Sequence, residues 1–172
     1  MESNLYRDVI INNSADIKLD IQLGNHISID NGVYISTQAT IGDYVHIAPY
    51  VCIIGGSNAK LIMGNFTNIG AGSKIIIIGD DFNEGLINPI VPIKYRNLIG
   101  DNFIMEDFSL IGVNCVVLPN VKMAEGSVLG ANSLLNRNTD PWTIYVGSPA
   151  KPLKKRNKEQ IIKYAKELGY GF

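Results

Sequence analysis

Aliphatic residues recur at every sixth position along the first third of the chain, at Ile17, Leu23, Ile29, Ile35, Ile41, Ile47 and Ile53. Four residues after each of the first six stands a second apolar residue: Ile21, Ile27, Val33, Ala39, Val45 and Val51. The register resumes, moved by four, at Met63, Ile69 and Ile75, and runs again through Ile99, Met105, Ile111, Val117, Met123, Leu129 and Leu135. In that last run the companions are smaller or more polar: Phe103, Ser109, Cys115, Val121, Ser127, Ser133 and Thr139. An amphipathic helix would repeat its apolar residues at three, four and seven, and a half-buried strand would alternate; a period of six is neither. Turn-forming residues separate the aliphatics, as in IGDYV, IGAGS, MAEGS and LGANS, so each hexad reads as a short strand followed by a tight corner. Such units bury their apolar side only by stacking, which predicts an all-β, parallel coil around one continuous core.

Two segments interrupt the register. Gly55 to Leu61 (GGSNAKL) adds four residues between Ile53 and Met63, which a protruding corner absorbs without moving the faces. Asp80 to Asn97 (DDFNEGLINPIVPIKYRN) is harder to place, because Ile75 and Ile99 lie four hexads apart and the segment would fit as one poor coil. Asp81 would then fall in the core. The acidic pair and the prolines Pro89 and Pro92 favour an extruded loop over about 80–97, and such loops often shape sites. The tail changes period: Asn157 to Leu168 (NKEQIIKYAKEL) has a cap residue, a glutamine three positions on, and Ile161, Ile162, Ala165 and Leu168 at helical spacing. The expected organisation is a coiled β domain over 1–156 and a short C-terminal helix and tail over 157–172.

The segments IGDYVHIAPYV, NIGAGSKI, IGVNCVVLPNV and VLGANSLL resemble the hexapeptide-repeat acyltransferases, and the resemblance covers nearly the whole chain. It implies a left-handed parallel β-helix of triangular section with three hexads per coil, commonly assembled as a trimer. The C-terminal PWTIYVGSPAKPLKK also resembles the family's closing motif, whose core here is Gly147, Ser148, Pro149, Ala150 and Lys151.

Composition narrows the function. A chain of 172 residues that is 46% hydrophobic can bury a single core without disulfides or metals. A net charge of -1 supplies no basic stripe for nucleic acid, which leaves a small molecule as the expected partner. Cys52 and Cys115 form no metal-type pair and no bridge framework, and residues 1–11 lack a basic start followed by an apolar run. With no stretch of about 18 apolar residues to span a bilayer, the expectation is a reduced, cytoplasmic protein with no membrane insertion.

Acyl transfer from coenzyme A needs a base for the acceptor's proton, donors for the oxyanion that forms on the thioester carbonyl, and a groove for the cofactor. Of two histidines, His46 ends a hexad whose core positions are already filled by Ile41 and Val45, so its ring points outward. With three hexads per coil it stacks between Ser28 and Asn68, polar neighbours able to fix its tautomer. The pattern alone equally fits a surface histidine making a local hydrogen bond. The resemblance tips the reading toward a general base, although Asn114 stands near where many family members carry a later catalytic histidine. His46 in YVHIAP is similar instead to an earlier histidine of bacterial surface-polysaccharide acetyltransferases, whose loop motifs Asp80, Asp81, Phe82, Asn88, Pro89, Val91 and Pro92 also resemble. His26 does not stack on His46 and reads as structural.

The resemblance therefore implies transfer of an acetyl group from acetyl-CoA to a hydroxyl or amino group of a sugar or nucleotide sugar, in surface-polysaccharide (lipopolysaccharide) biosynthesis. Asp80, Asp81, Asn68 and Asn88 are the candidate acceptor contacts, with Asp80 and Asp81 otherwise forming a solvated turn. Tyr95 and Arg96 either meet a nucleotide phosphate or anchor the loop. Gly112, Gly130 and Ala131 are candidates to approach the pantetheine arm, and Lys151 and Arg156 to neutralise the phosphates of coenzyme A. No metal is expected: a γ-class carbonic anhydrase uses the same repeat but needs three converging histidines. The remaining alternative is a non-catalytic hexapeptide-repeat scaffold or binding protein.

Overall fold

In the computed structural model, residues 8–171 are described; residues 1–7 and 172, the two ends of the expected 1–156 and 157–172 segments, lie outside them. The chain winds as a left-handed parallel β-helix with three flat faces. The first face stacks Val9–Ile11, Ile27–Ile29, Val45–Ile47, Asn68–Ile69, Leu110–Ile111, Val128–Leu129 and Thr143–Gly147. The second stacks Asp16–Ile17, the start of Tyr34–Ile41, the start of Cys52–Met63, Lys74–Ile76, Val116–Val117 and Leu134–Leu135. The third stacks Ile21–Leu23, the ends of the two long strands, Phe103–Met105 and Lys122–Met123. The hexad aliphatics Ile29, Ile47, Ile69, Ile111 and Leu129 point inward from the first face, and Ile35, Ile53, Ile75, Val117 and Leu135 from the second, all fully buried. Each such side chain contributes roughly 1.5–3 kcal/mol by leaving water.

The corner between the third and first faces is aromatic. His26, Tyr44, Phe66, Phe108 and Trp142 occupy it with φ between 53 and 61°. Left-handed backbone is costly for such residues. Stacking offsets the cost: the Tyr44 and Phe66 rings lie 5.0 Å apart and those of Phe66 and Phe108 5.2 Å, stacked nearly parallel. His26 stacks 4.4 Å from Tyr44, the structural place its sequence position indicates. The helix Lys158–Glu167, capped by Asn157 accepting from the Gln160 amide, packs Ala165, Ile161 and Ile162 on Phe108 and Trp142.

Both interruptions emerge at the opposite corner, between the second and third faces. Partners in adjacent coils are 18 residues apart in the regular region and 22 across the first insertion. Across the second they are 42 apart. The second segment is a β-hairpin: Ile78–Gly85 runs antiparallel to Arg96–Gly100, with Ile78 opposite Gly100 and Asp80 opposite Leu98. Ile99 is therefore corrected from a core position to the hairpin, where it is 38% exposed, and Ile77 closes the core instead. The hexad count reached Ile99 because the excess over a regular coil is a multiple of six. At the C-terminal end, Ala150–Lys155 folds back antiparallel on Thr143–Gly147, so the closing motif forms a second hairpin.

Candidate functional site

His46 projects outward from the middle of the first face. Its register neighbours are Ser28 below and Asn68 above, as the three-hexad coil requires. Nδ1 lies 2.9 Å from Oδ1 of Asn68, and Nε2 lies 2.9 Å from Oδ2 of Asp30. Ser28 donates to the other oxygen of Asp30 at 2.8 Å. The hydrogen bond from His46 holds the Asp30 carboxyl below its ordinary range, helped by that from Ser28. Sequence reasoning missed Asp30. It sits in the corner leaving the coil below, 16 residues from His46 rather than 18, so a search for vertical stacks passes it by.

The corner that follows this face, one step along from His46, is built of small residues. A Cβ on Gly70 would lie 2.5 Å from the Gly112 carbonyl carbon, and one on Gly112 would lie 2.7 Å from the Ala131 nitrogen. Gly112, Gly130 and Ala131 are thus brought onto one edge, the edge His46 adjoins. Lys151 pairs with Val146, whose side chain covers Gly130, which leaves this exposed lysine at the far end of the same edge. Arg156 is not with them. Its Nη1 donates to the carbonyls of Phe108 at 2.6 Å and Gly126 at 3.1 Å, in the aromatic corner, and burial lowers its pKa.

The hairpin residues are also apart from His46. A triangular section sets the first face opposite the corner that carries the hairpin, so one chain does not bring Asp80, Asp81 or Asn88 to His46. Asp80 is gripped by Arg96 through two bonds of 2.8 Å, and the two side chains are 13% and 15% exposed. That fork holds the Asp80 carboxyl below its usual range and makes Arg96 the anchor of the loop. Asp81 accepts from the Asn83 amide and from Asn97, and Asn88 accepts from the Ile90 amide, as turn residues do. Between the hairpin and the first insertion lies a cleft of about 460 Å³, its walls including Ile54, Leu98 and Ile99 and its rim Gly56, Ser57 and Asn58. The first insertion, expected as a protruding corner, emerges there and also lines one side of this cleft.

A scan of protein-family profiles finds no match. A curated relative, the dTDP-4-amino-4,6-dideoxy-D-glucose acyltransferase of Escherichia coli, is 32% identical over 146 residues, covering 83% of this chain and 75% of that protein. The chain belongs to the hexapeptide-repeat sugar acyltransferases. Enzymes of this family move an acyl group from acyl-coenzyme A to a hydroxyl or amino group. Among solved structures, a point mutant of AntD, an N-acyltransferase from Bacillus cereus, in complex with dTDP-4-amino-4,6-dideoxyglucose and coenzyme A, superposes with a TM-score of 0.90 at 32% identity, covering 95% of this chain and 89% of that one. A hexapeptide-repeat acetyltransferase from Vibrio cholerae, 20% identical with a TM-score of 0.59 over 90% of this chain and 74% of that one, shares the fold. Among the described residues no helix of this acyltransferase is long and apolar enough to cross a membrane.

Proposed function

We propose that this acyltransferase moves the acetyl group of acetyl-CoA to the amino group of a nucleotide-linked amino-deoxy sugar, a precursor of surface polysaccharide, in the cytoplasm. The observation that carries the reading is the likeness, over 95% of the chain, to an N-acyltransferase complexed with a dTDP-amino sugar and coenzyme A. The amine attacks the thioester carbonyl carbon, and His46 takes the proton that the nitrogen sheds. The C–S bond then breaks, and the thiolate leaves with that proton. Backbone amides at the small-residue corner are the candidate oxyanion donors, with Gly112, Gly130 and Ala131 leaving room for the pantetheine arm and Lys151 facing the phosphates. Because the hairpin stands away from its own His46, Asp81 and Asn88 meet an acceptor at that histidine only from a second copy. This favours a homotrimer with sites between subunits.

Thiol release from acetyl-CoA with dTDP-4-amino-4,6-dideoxyglucose, beside the analogue bearing a hydroxyl in place of the amine, tests the reading. Turnover with the amine alone supports it; acetylation of the hydroxyl analogue alone overturns the choice of acceptor. Near-normal turnover of His46→Ala across pH would sink the base assignment, and failure of the protein to bind coenzyme A would return it to a scaffold.

A further inference from the structure

Neither ring nitrogen of His46 is idle, and its two partners differ in what they can offer. Asp30 presents a carboxylate to Nε2, and an ionised carboxylate only accepts hydrogen bonds, so Nε2 carries a hydrogen whenever that contact is made. A neutral imidazole has one ring hydrogen, and its lone pair then falls on Nδ1. Asn68, 2.9 Å from Nδ1, suits either state: a half-turn of its amide exchanges the acceptor oxygen for a donor nitrogen. Asp30 is itself held from two sides, since Ser28 donates to its Oδ1 while its backbone amide donates to the Ile47 carbonyl. Ser28 of the coil below therefore aims the carboxylate, and the bond to Ile47 fixes its backbone, neither through the ring itself.

We infer that Asp30 is the positioning residue of this site: it fixes His46 in the Nε2–H form, so that Nδ1 receives the acceptor's proton and the acceptor's amine displaces the Asn68 amide. This rests on His46 acting as the base. When Nδ1 takes the proton the ring becomes a cation, and Asp30, 2.9 Å from its other N–H, balances the charge that has appeared. The balance is lost again as Nδ1 passes the proton to the departing thiolate, so the ring returns to its starting form. The side facing Asn68 is then the side from which the acceptor enters.

The chain has two histidines, which makes the ring tautomers readable by 15N NMR of histidine-labelled protein at a pH where the rings are neutral. His46 is expected as Nε2–H in the native protein and as a mixture in Asp30→Ala; a native His46 found as Nδ1–H overturns the inference whatever the kinetics. With the amine acceptor, Asp30→Asn is expected to lower kcat by roughly 10- to 100-fold while the KM for acetyl-CoA moves less than about threefold. Adding Asp30→Asn to His46→Ala should cost nothing further. Wild-type kcat in Asp30→Asn sinks the positioning role while a dead His46→Ala keeps the base reading. An active His46→Ala sinks the base reading, and the tautomer measurement still decides what Asp30 does to the ring.

Discussion

The phenol of Tyr170 donates a 2.6 Å hydrogen bond to Oδ2 of Asp43, joining residues 127 apart in sequence. The Tyr170 ring also meets Tyr44 and Phe66 edge-on, so the segment after the helix clasps the aromatic corner several coils below the helix's own start. Burial, together with the bond to Asp43, pushes the Tyr170 pKa up to about 12. A tyrosine in the unfolded chain titrates near 10. The stability this group contributes is thus complete below about pH 10 and is lost between pH 10 and 12. Asp43 works at the other end: despite burial, which opposes it, bonds from Tyr170 and Asn25 hold it low, so its contribution is complete above the ordinary aspartate range and is lost as pH falls from there through its lower folded value. Tyr170→Phe should cost about 1 kcal/mol at neutral pH. Denaturant midpoints of the two proteins should converge as pH rises from 10 to 12; parallel curves would refute the assignment.

Excising residues 78–101 should leave the coil intact. Partners across the hairpin are 42 residues apart and those of a regular coil 18, and removal of this segment restores the shorter spacing. Ile77 then meets Asn102, giving a corner of the same length as Val117 to Val121 with an asparagine where Asn120 stands at positive φ. The variant is expected to keep the β-rich circular dichroism and thermal cooperativity of the parent and to lose transfer to a nucleotide sugar. Aggregation or loss of the β signal would show that the hairpin is part of the core.

Gly112→Val should destabilise the chain by roughly 2 kcal/mol or more, lowering the thermal midpoint by about 5 °C or more. The obstacle is backbone: the added Cβ meets the Ala131 nitrogen at 2.7 Å and the Leu129 carbonyl oxygen at 2.9 Å, neither of which can rotate aside. Differential scanning calorimetry checks this directly, with Gly171→Ala as the control for a glycine in open space.

Asn68→Asp and Asn68→Ala should diverge. A carboxylate facing Nδ1 holds a hydrogen on that nitrogen as Asp30 does on the other, leaving no lone pair to accept a proton; transfer is expected to fall roughly 100-fold or more. Alanine opens the same nitrogen and should cost under about tenfold. Equal effects of the two in a steady-state thiol-release assay would count against a role for Nδ1.

Much of this was readable before folding. The hexads name the inward side chains of every regular coil because each flat strand admits one large aliphatic and one smaller companion, a constraint local to six residues. Stacking by three hexads likewise puts Ser28 and Asn68 about His46. The failures have one cause: relations that leave the stack. Ile99 keeps the count without keeping the core, since a hairpin of the right length restores the phase it interrupts. Asp80 meets Arg96 across an antiparallel pair, and Arg156 reaches back to Phe108 across 48 residues, distances that no repeat encodes. Asp30 lies on a diagonal from corner to strand. The aromatic corner was written in the sequence as His26, Tyr44, Phe66, Phe108 and Trp142, but its positive φ hides it from propensity arguments.

The joint at which the hairpin leaves the prism has a consequence for how such a chain diversifies. Ile78 and Gly100 are already paired where the appendage begins, so its length and sequence can drift with little loop-closure penalty. Every coil above and below keeps its register whatever is grafted there. On the proposed reading, in which the hairpin meets the acceptor, selectivity can therefore evolve by exchange of one appendage, separately from the rail of stacked hexads that bears the histidine.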